Sequence, residues 1–313
     1  MSWIVAQGIL LTMGCGRMRS GRTSCSANMQ SLRRLVIRTG FAGLLGILGP
    51  AAIQAEPLTL SYLVGWGHMT LVEAEISYSQ SEIGYHLVSK GRTRGLLDLF
   101  FSWQGQAETE GLRLKEGRRP LVHEHEGTRK KKIRRTRVDW NGAAGPRTEA
   151  EPPSDLERVT PVPNSSIAGT SDPFTVILSL LDQLAATGRC EGEAKVWDGR
   201  RRYDLSVTHL GEEELIADRP WSYGGQAIGC ALDIKRIGGF RREKPDWRSR
   251  DENAPTRRVV WAAEIESGHW ALVRGEMETQ YGTVVGRLLS GEYKQPEHVQ
   301  RSLEALSAVG MPE

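Results

Sequence analysis

Three stretches of this chain concentrate side chains that can do chemistry. The first is His123-Glu124-His125-Glu126. On an extended backbone His123 and His125 project to one side and the glutamates to the other, and such imidazole pairs open many zinc or copper sites. A third ligand would have to come from elsewhere and no cluster announces it. The expectation is therefore a solvated polar strand with no resident metal and no cofactor. The second is the basic run from Arg129 to Arg137, in which Arg129, Lys131, Arg135 and Arg137 share one side of a strand. These four are the candidate contacts for an anionic partner such as a lipid head group, a lipopolysaccharide phosphate or an acidic polysaccharide. The same charges also serve to keep an exposed sheet edge from pairing with another chain. Third comes Asp198-Gly199-Arg200-Arg201-Arg202-Tyr203. A tight turn already requires Asp198 and Gly199, and Arg200 and Arg202 share a face with Asp204, which reads as a surface ion network.

Catalytic templates are missing. The chain has no GxSxG elbow, no HExxH, no phosphate-binding Walker loop and no dinucleotide fingerprint after a strand. The reading is a protein that is not an enzyme, with a metal-dependent envelope hydrolase as the remaining catalytic alternative. A formal charge of +3 over 313 residues does not call for nucleic acid. The basic run carries no interleaved aromatic platform either.

The elements that must position these groups are mostly strands. Leu58, Leu60, Tyr62, Val64 and Trp66 alternate with polar residues, and Val72, Ala74, Ile76 and Tyr78 repeat the pattern. Ile83, Tyr85 and Leu87 continue it, as do Leu97, Leu99, Phe101 and Trp103. Each reads as a half-buried strand. Pro120–Glu126 and Arg129–Trp140 read as a hairpin turning at Gly127, its second arm too charged for the centre of a sheet. Gly142–Ser171, rich in proline, reads as a long connection without regular structure. Asp198-Gly199 joins Ala194–Trp197 to Tyr203–Val207, and Met277–Val285 reads as the last strand. About a dozen amphipathic strands cannot lie flat in one layer.

One segment breaks the period of two. In Ser171–Cys190, Asp172 is a good N-cap, Pro173 suits the first helical turn, and Gly188 suits the C-terminal cap. Between them Phe174, Ile177, Leu178, Leu181 and Leu184 form one apolar stripe. The predicted architecture is mainly β: a single large curled antiparallel sheet, an open barrel or β-spiral, enclosing one short α-helix over 172–187. The stripe residues Phe174, Ile177, Leu178 and Leu181 are the candidate face for an apolar ligand.

The N-terminal region reads as an address. From Met29, Arg33, Arg34 and Arg38 precede an apolar run, Phe41–Leu48, too short to span a bilayer, and Ala55 stands at a cleavage point. This is the layout of a cleaved secretory signal peptide, which implies a periplasmic protein. Residues 1–28 fit no part of that pattern and read as a disordered leader ahead of the true initiator, with a lipoprotein box ending at Cys15 as the rival. The mature chain keeps Cys190 and Cys230, expected to pair in an oxidising compartment. Closing about 40 residues would restrict the unfolded chain by about 4 kcal/mol. Residues 56–290 are taken as one curled-sheet domain and 291–313 as a tail.

The order of these features resembles an uncharacterised bacterial family, domain of unknown function 3108. The likeness rests on Tyr62–Gly67, on SDPFTVILSLL at Ser171–Leu181, on VWDGRRRYDL at Val196–Leu205 and on Met277–Leu289. It implies an exported envelope protein shaped like carriers of lipids or lipoproteins, and it carries no catalytic residues. The expected partner is a lipid, lipoprotein or other amphiphile held against the inner apolar face. The alternative is a scaffold that binds an envelope protein or the cell wall by its outer face.

Overall fold

The computed structural model describes residues 57–142, 145–242, 257–265, 268–279 and 282–290. The leader, the signal segment and the tail lie outside the described residues. Thirteen strands form one antiparallel sheet in the order β7-β6-β5-β4-β3-β2-β1-β13-β12-β11-β10-β9-β8. In chain order they are β1 (Leu58–Trp66), β2 (Met69–Gln80), β3 (Gly84–Thr93), β4 (Trp103–Leu114), β5 (Gly117–Arg129), β6 (Lys132–Asp139) and β7 (Arg147–Glu151), then β8 (Gly192–Trp197), β9 (Arg202–Leu215), β10 (Gly225–Gly238), β11 (Arg258–Glu264), β12 (Trp270–Thr279) and β13 (Gly282–Leu288). Among the described residues two α-helices accompany them, α1 (Leu96–Phe100) and α2 (Pro173–Thr187), with one 3-10 turn at Asn164–Ser166.

The curl follows from what α2 touches. It packs on β4 and β5 in one half of the sheet and on β8 and β12 in the other. A flat sheet cannot offer both to one helix. Phe174 and Leu178 sit among Tyr62, Ile76, Tyr85 and Leu87, while Leu184 packs with Cys190, Ile228, Cys230 and Val260. Each such side chain removed from water contributes about 2 kcal/mol. The caps stand where the sequence puts them. Asp172 accepts from the amides of Phe174 at 2.8 Å and Thr175 at 3.1 Å, and Gly188 turns left-handed at φ 67°. Cys190 and Cys230 form a disulfide, Cα to Cα 6.0 Å, with neither residue exposed.

β7 and β8 are the two ends of the sheet, and side chains rather than a ladder join them. The Trp197 indole donates to Thr148 Oγ1 at 2.9 Å. Arg200 reaches from the β8–β9 turn to Thr136 Oγ1 at 2.8 Å and to the carbonyl oxygens of Arg135 and Pro152, each at 3.0 Å. The Asp198-Gly199 turn forms as expected, with Asp198 Oδ1 accepting from the amides of Arg200 and Arg201.

Several expectations need correction. Leu97–Phe101 is not a strand: α1 occupies Leu96–Phe100, with Phe101 closing it. Alternating large apolar residues fit either period in so short a run. Ile83 lies in the turn before β3 and is 76% exposed. The β5–β6 hairpin turns at Lys130-Lys131, not Gly127. Gly127 stays in the strand opposite Gly105 because the Trp103 ring lies across both, where a Cβ on Gly105 would stand 2.6 Å from that ring. The proline-rich connection contains β7, which pairs with β6 and takes its place as the edge. Met277–Val285 divides between β12 and β13, paired to each other as a hairpin.

Candidate functional site

The sequence-predicted residues fall into three separate regions. His123 lies on the inner face of β5 and is 4% exposed. Its ring stands edge-on to Phe174 at 5.6 Å between centroids, and its Nδ1 lies 2.7 Å from Thr109 Oγ1. Thr109 has one hydroxyl proton and gives it to Asp172 Oδ1 at 2.9 Å, so it accepts from His123 Nδ1–H. The other Asp172 oxygen accepts from the Thr175 hydroxyl, which leaves the Tyr85 hydroxyl to donate to Thr175 Oγ1 at 2.6 Å. Every proton in this chain runs toward Asp172, itself fully buried. A hydroxyl, an imidazole and a carboxylate in line have the parts of a nucleophilic relay, but Thr109 is 0% exposed and its proton is committed to the cap. The arrangement anchors the helix start to β3, β4 and β5.

His125 is half-buried on the same side of β5. Burial, with help from His123, lowers its pKa to about 4. Burial lowers that of His123 as well, against the pull of Asp172. Both rings thus favour the neutral form. The histidines expected to share a wetted strand face are instead the polar part of the interior. Among the described residues, the metal-type donors that do converge are His86, Glu108 and Glu110 on β3 and β4, all within 4.8 Å of one another and open to solvent. Cross-strand pairing brings them together, which no local motif signals.

The candidate apolar face on α2 is spent on the protein's own core. Phe174 and Leu178 are 2% and 5% exposed, and Ile177 and Leu181 pack beside the disulfide. Further along, Arg118 of β5 pairs with Asp182 of the helix and lies over the Tyr85 and Tyr78 rings at 5.0 and 5.8 Å.

The four candidate anion-binding residues divide. Arg135 pairs with Glu126 at 2.6 Å and Arg137 pairs with Glu124. They belong to a mixed-charge lattice over the outer face of β1–β7, in which Arg92 and Arg94 pair with Glu73 and His86 meets Glu108 at 2.7 Å. This face forms a concavity of about 1250 Å³. Arg200 and Arg202 also leave the surface network expected of them. Arg202, 3% exposed, pairs with Asp204 at 2.7 Å and donates to the Ser166 carbonyl, while Arg200 bridges the seam.

Arg129 and Lys131 lie at the end of this face, beside the β5–β6 turn. Arg129 stacks on Phe101, Cζ to ring centroid 3.9 Å, and Lys131 sits in the turn. Their neighbours are the surface that sequence reasoning missed. The β1–β2 turn, α1 and the β5–β6 turn lie at one end of the sheet, since β1 meets β2 at Trp66–Met69, β3 ends at Thr93, and β4 begins at Trp103 opposite Arg129. Exposed around this end are Trp66 (37%), Met69 (44%), Leu99 (36%), Phe100 (72%) and Ile133 (48%). Beneath them Val64, Val72, Phe101, Met277 and Val284 close the core.

The model of a family described as "Protein of unknown function (DUF3108)" matches residues 61–288 of this chain. No curated protein matches it. Among solved structures, the beta-barrel-like protein of domain of unknown function DUF1849 from Brucella abortus is similar at 12% identity, over 78% of this chain and 100% of that one, with a TM-score of 0.44.

Proposed function

The chain belongs to the DUF3108 family, and from that premise we propose an exported, non-enzymatic protein of the cell envelope that binds an amphiphilic component at its α1 end. The observation that carries this reading is the collar of five exposed apolar side chains, Trp66, Met69, Leu99, Phe100 and Ile133, gathered at one end of the sheet, whereas the other large exposed apolar residues described, Ile83, Leu114, Leu156, Leu210 and Ile216, are divided among other loops and strands. Scattered apolar residues need no explanation, but a contiguous group marks a contact surface. The inner face beside α2 competes poorly for the role, because Phe174 and Leu178 are buried there among the sheet's own core residues. Export to the periplasm is supported by the buried Cys190–Cys230 disulfide, of a kind that persists in oxidising compartments, and by the signal-like segment before Glu56.

The test is hydrogen exchange on protein purified from the envelope, with and without micelles of the neutral lipid lysophosphatidylcholine. Slowed exchange over residues 66–71 and 96–103 is the expected result. Protection along α2 instead, or none anywhere, would overturn it.

A further inference from the structure

We propose that the α1 end is a docking surface for an anionic phospholipid bilayer, with the apolar collar entering the interface and the β5–β6 turn lying on the head groups. This rests on the amphiphile reading above and adds to it the charge and the physical form of the partner. Three observations carry it.

The first is unpartnered charge. Lys130, Lys131, Lys132 and Arg134 are all exposed, and among the described residues none of the four takes part in an ion pair. Burial disfavours the charged forms of Arg129 and Arg200, and the nearby Arg134 charge acts on both in the same direction, so cations crowd one another here. Two residues further along, Arg135 and Arg137 are each matched by a glutamate. Among the described residues, no ion pair of the outer-face lattice reaches this turn. The acid on α1, Asp98, accepts from the Thr93 hydroxyl at 2.6 Å.

The second is backbone geometry. Lys130 and Lys131 both have positive φ, 46° and 65°. A two-residue hairpin turn of this kind suits Asn-Gly, since glycine has no Cβ and the short asparagine amide bonds locally, whereas other side chains raise its energy by about 1–2 kcal/mol per residue. Lysine occupies both positions at a cost to the fold. Strain of this sort gathers where a side chain has work outside the fold.

The third is the juxtaposition of the two chemistries. The turn tips at β1–β2 and β5–β6 are four strands apart, about 20 Å at the usual strand spacing, and α1 lies between them with Phe100 and Leu99 outward. Aromatic and aliphatic residues that enter the interface beside lysines that meet the phosphates are the composition of an interfacial anchor. A soluble polyanion would use the lysines and leave the collar idle. A flat anionic surface engages both.

The experiment is vesicle flotation of the full exported chain. Vesicles of phosphatidylcholine alone are compared with vesicles containing about a third phosphatidylglycerol, for the native protein, Lys130→Asn/Lys131→Gly and Phe100→Ser. The native chain should float with the anionic vesicles and be released by high salt. At about 1 kcal/mol for each lysine near such a surface, the double variant should bind roughly thirtyfold more weakly. Its melting temperature should rise, because the new turn suits the backbone, and this separates lost binding from lost folding. Phe100→Ser should also weaken binding.

Equal binding to both vesicle types, or binding to neither while lysophosphatidylcholine still protects the α1 end, would overturn this inference and leave the amphiphile reading standing. Failure with vesicles and micelles alike would remove both. Soluble polyphosphate binding as tight as vesicle binding, indifferent to Phe100→Ser, would also overturn it and point to a dissolved polyanion.

Discussion

Two helices meet the same curled sheet, and they are treated in opposite ways. At the start of α2 each polar group has a partner: Asp172 takes four donors, from the Phe174 and Thr175 amides and the Thr109 and Thr175 hydroxyls. Its apolar side is covered by strands from both halves of the sheet. At α1 the Phe100 ring is 72% exposed, and the adjoining turn carries lysines that nothing neutralises among the described residues. A buried polar group without a partner is costly, so interiors are satisfied completely or destabilised. Exposed groups carry no such demand, and unsatisfied chemistry can persist there only at the surface. The contrast separates a region built for stability from a region left available for contact.

The largest expected effect lies at α2. Asp172→Ala would strand two amides and two hydroxyls in the interior and remove the cap. A cap alone contributes about 1 kcal/mol, and each orphaned buried donor adds about 1–3 kcal/mol, so a loss of about 3 kcal/mol or more is expected in urea unfolding. Asp172→Asn should restore part of it, since the amide oxygen still accepts. A loss below about 1 kcal/mol, no more than an ordinary exposed cap, would mean that the buried network does not hold the helix.

Much of this stable region was legible before any coordinates. Asp172, Pro173 and Gly188 are local signals, because capping depends on residues next to one another in sequence. The Asp198-Gly199 turn and the Cys190–Cys230 pair are equally plain. The α1 end was not, for reasons that residues make clear. Leu97, Leu99 and Phe101 alternate like a strand, yet form a helix because the chain must cross from β3 to β4 over the end of the sheet. Gly127 advertises a turn but answers to the Trp103 ring, while the true turn uses two lysines, which carry no turn signal. β7 has no apolar residue larger than Ala150, and pairing with β6 supplies what its sequence lacks. His123 and His125 looked wet because their neighbours are glutamates. Only the closure of the sheet around Phe174 makes that face an interior.

A smaller effect should appear with acid, and it probes the same interior. His125 has a folded pKa lowered to about 4, against about 6.5 for an unfolded histidine. Between those values the unfolded chain binds a proton that the folded chain does not, so stability rises with pH across the window and falls as pH drops from about 6.5 toward 4. Burial gives His123 the same sign. Urea midpoints at about pH 7 and about pH 5 should therefore differ, and His125→Gln should shrink the difference. If the variant keeps the full pH dependence, the ring is not sealed in, and the α2 side of the comparison loses its meaning.

The smallest effect belongs to α1, and there the smallness is the result that matters. Phe100→Ser removes a ring that is already mostly in water, so the folded state should lose no more than about 0.5 kcal/mol. A comparably large ring on α2, Phe174, is 2% exposed, and its replacement by alanine should remove about 3–5 kcal/mol. The ratio of the two losses measures how differently the molecule uses its two helices. Should Phe100→Ser destabilise by more than about 1 kcal/mol, α1 would be a working part of the core beside Val64 and Phe101. The exposed collar would then be a by-product of closing that end, and the contact surface would have to be sought on the charged face of β1–β7.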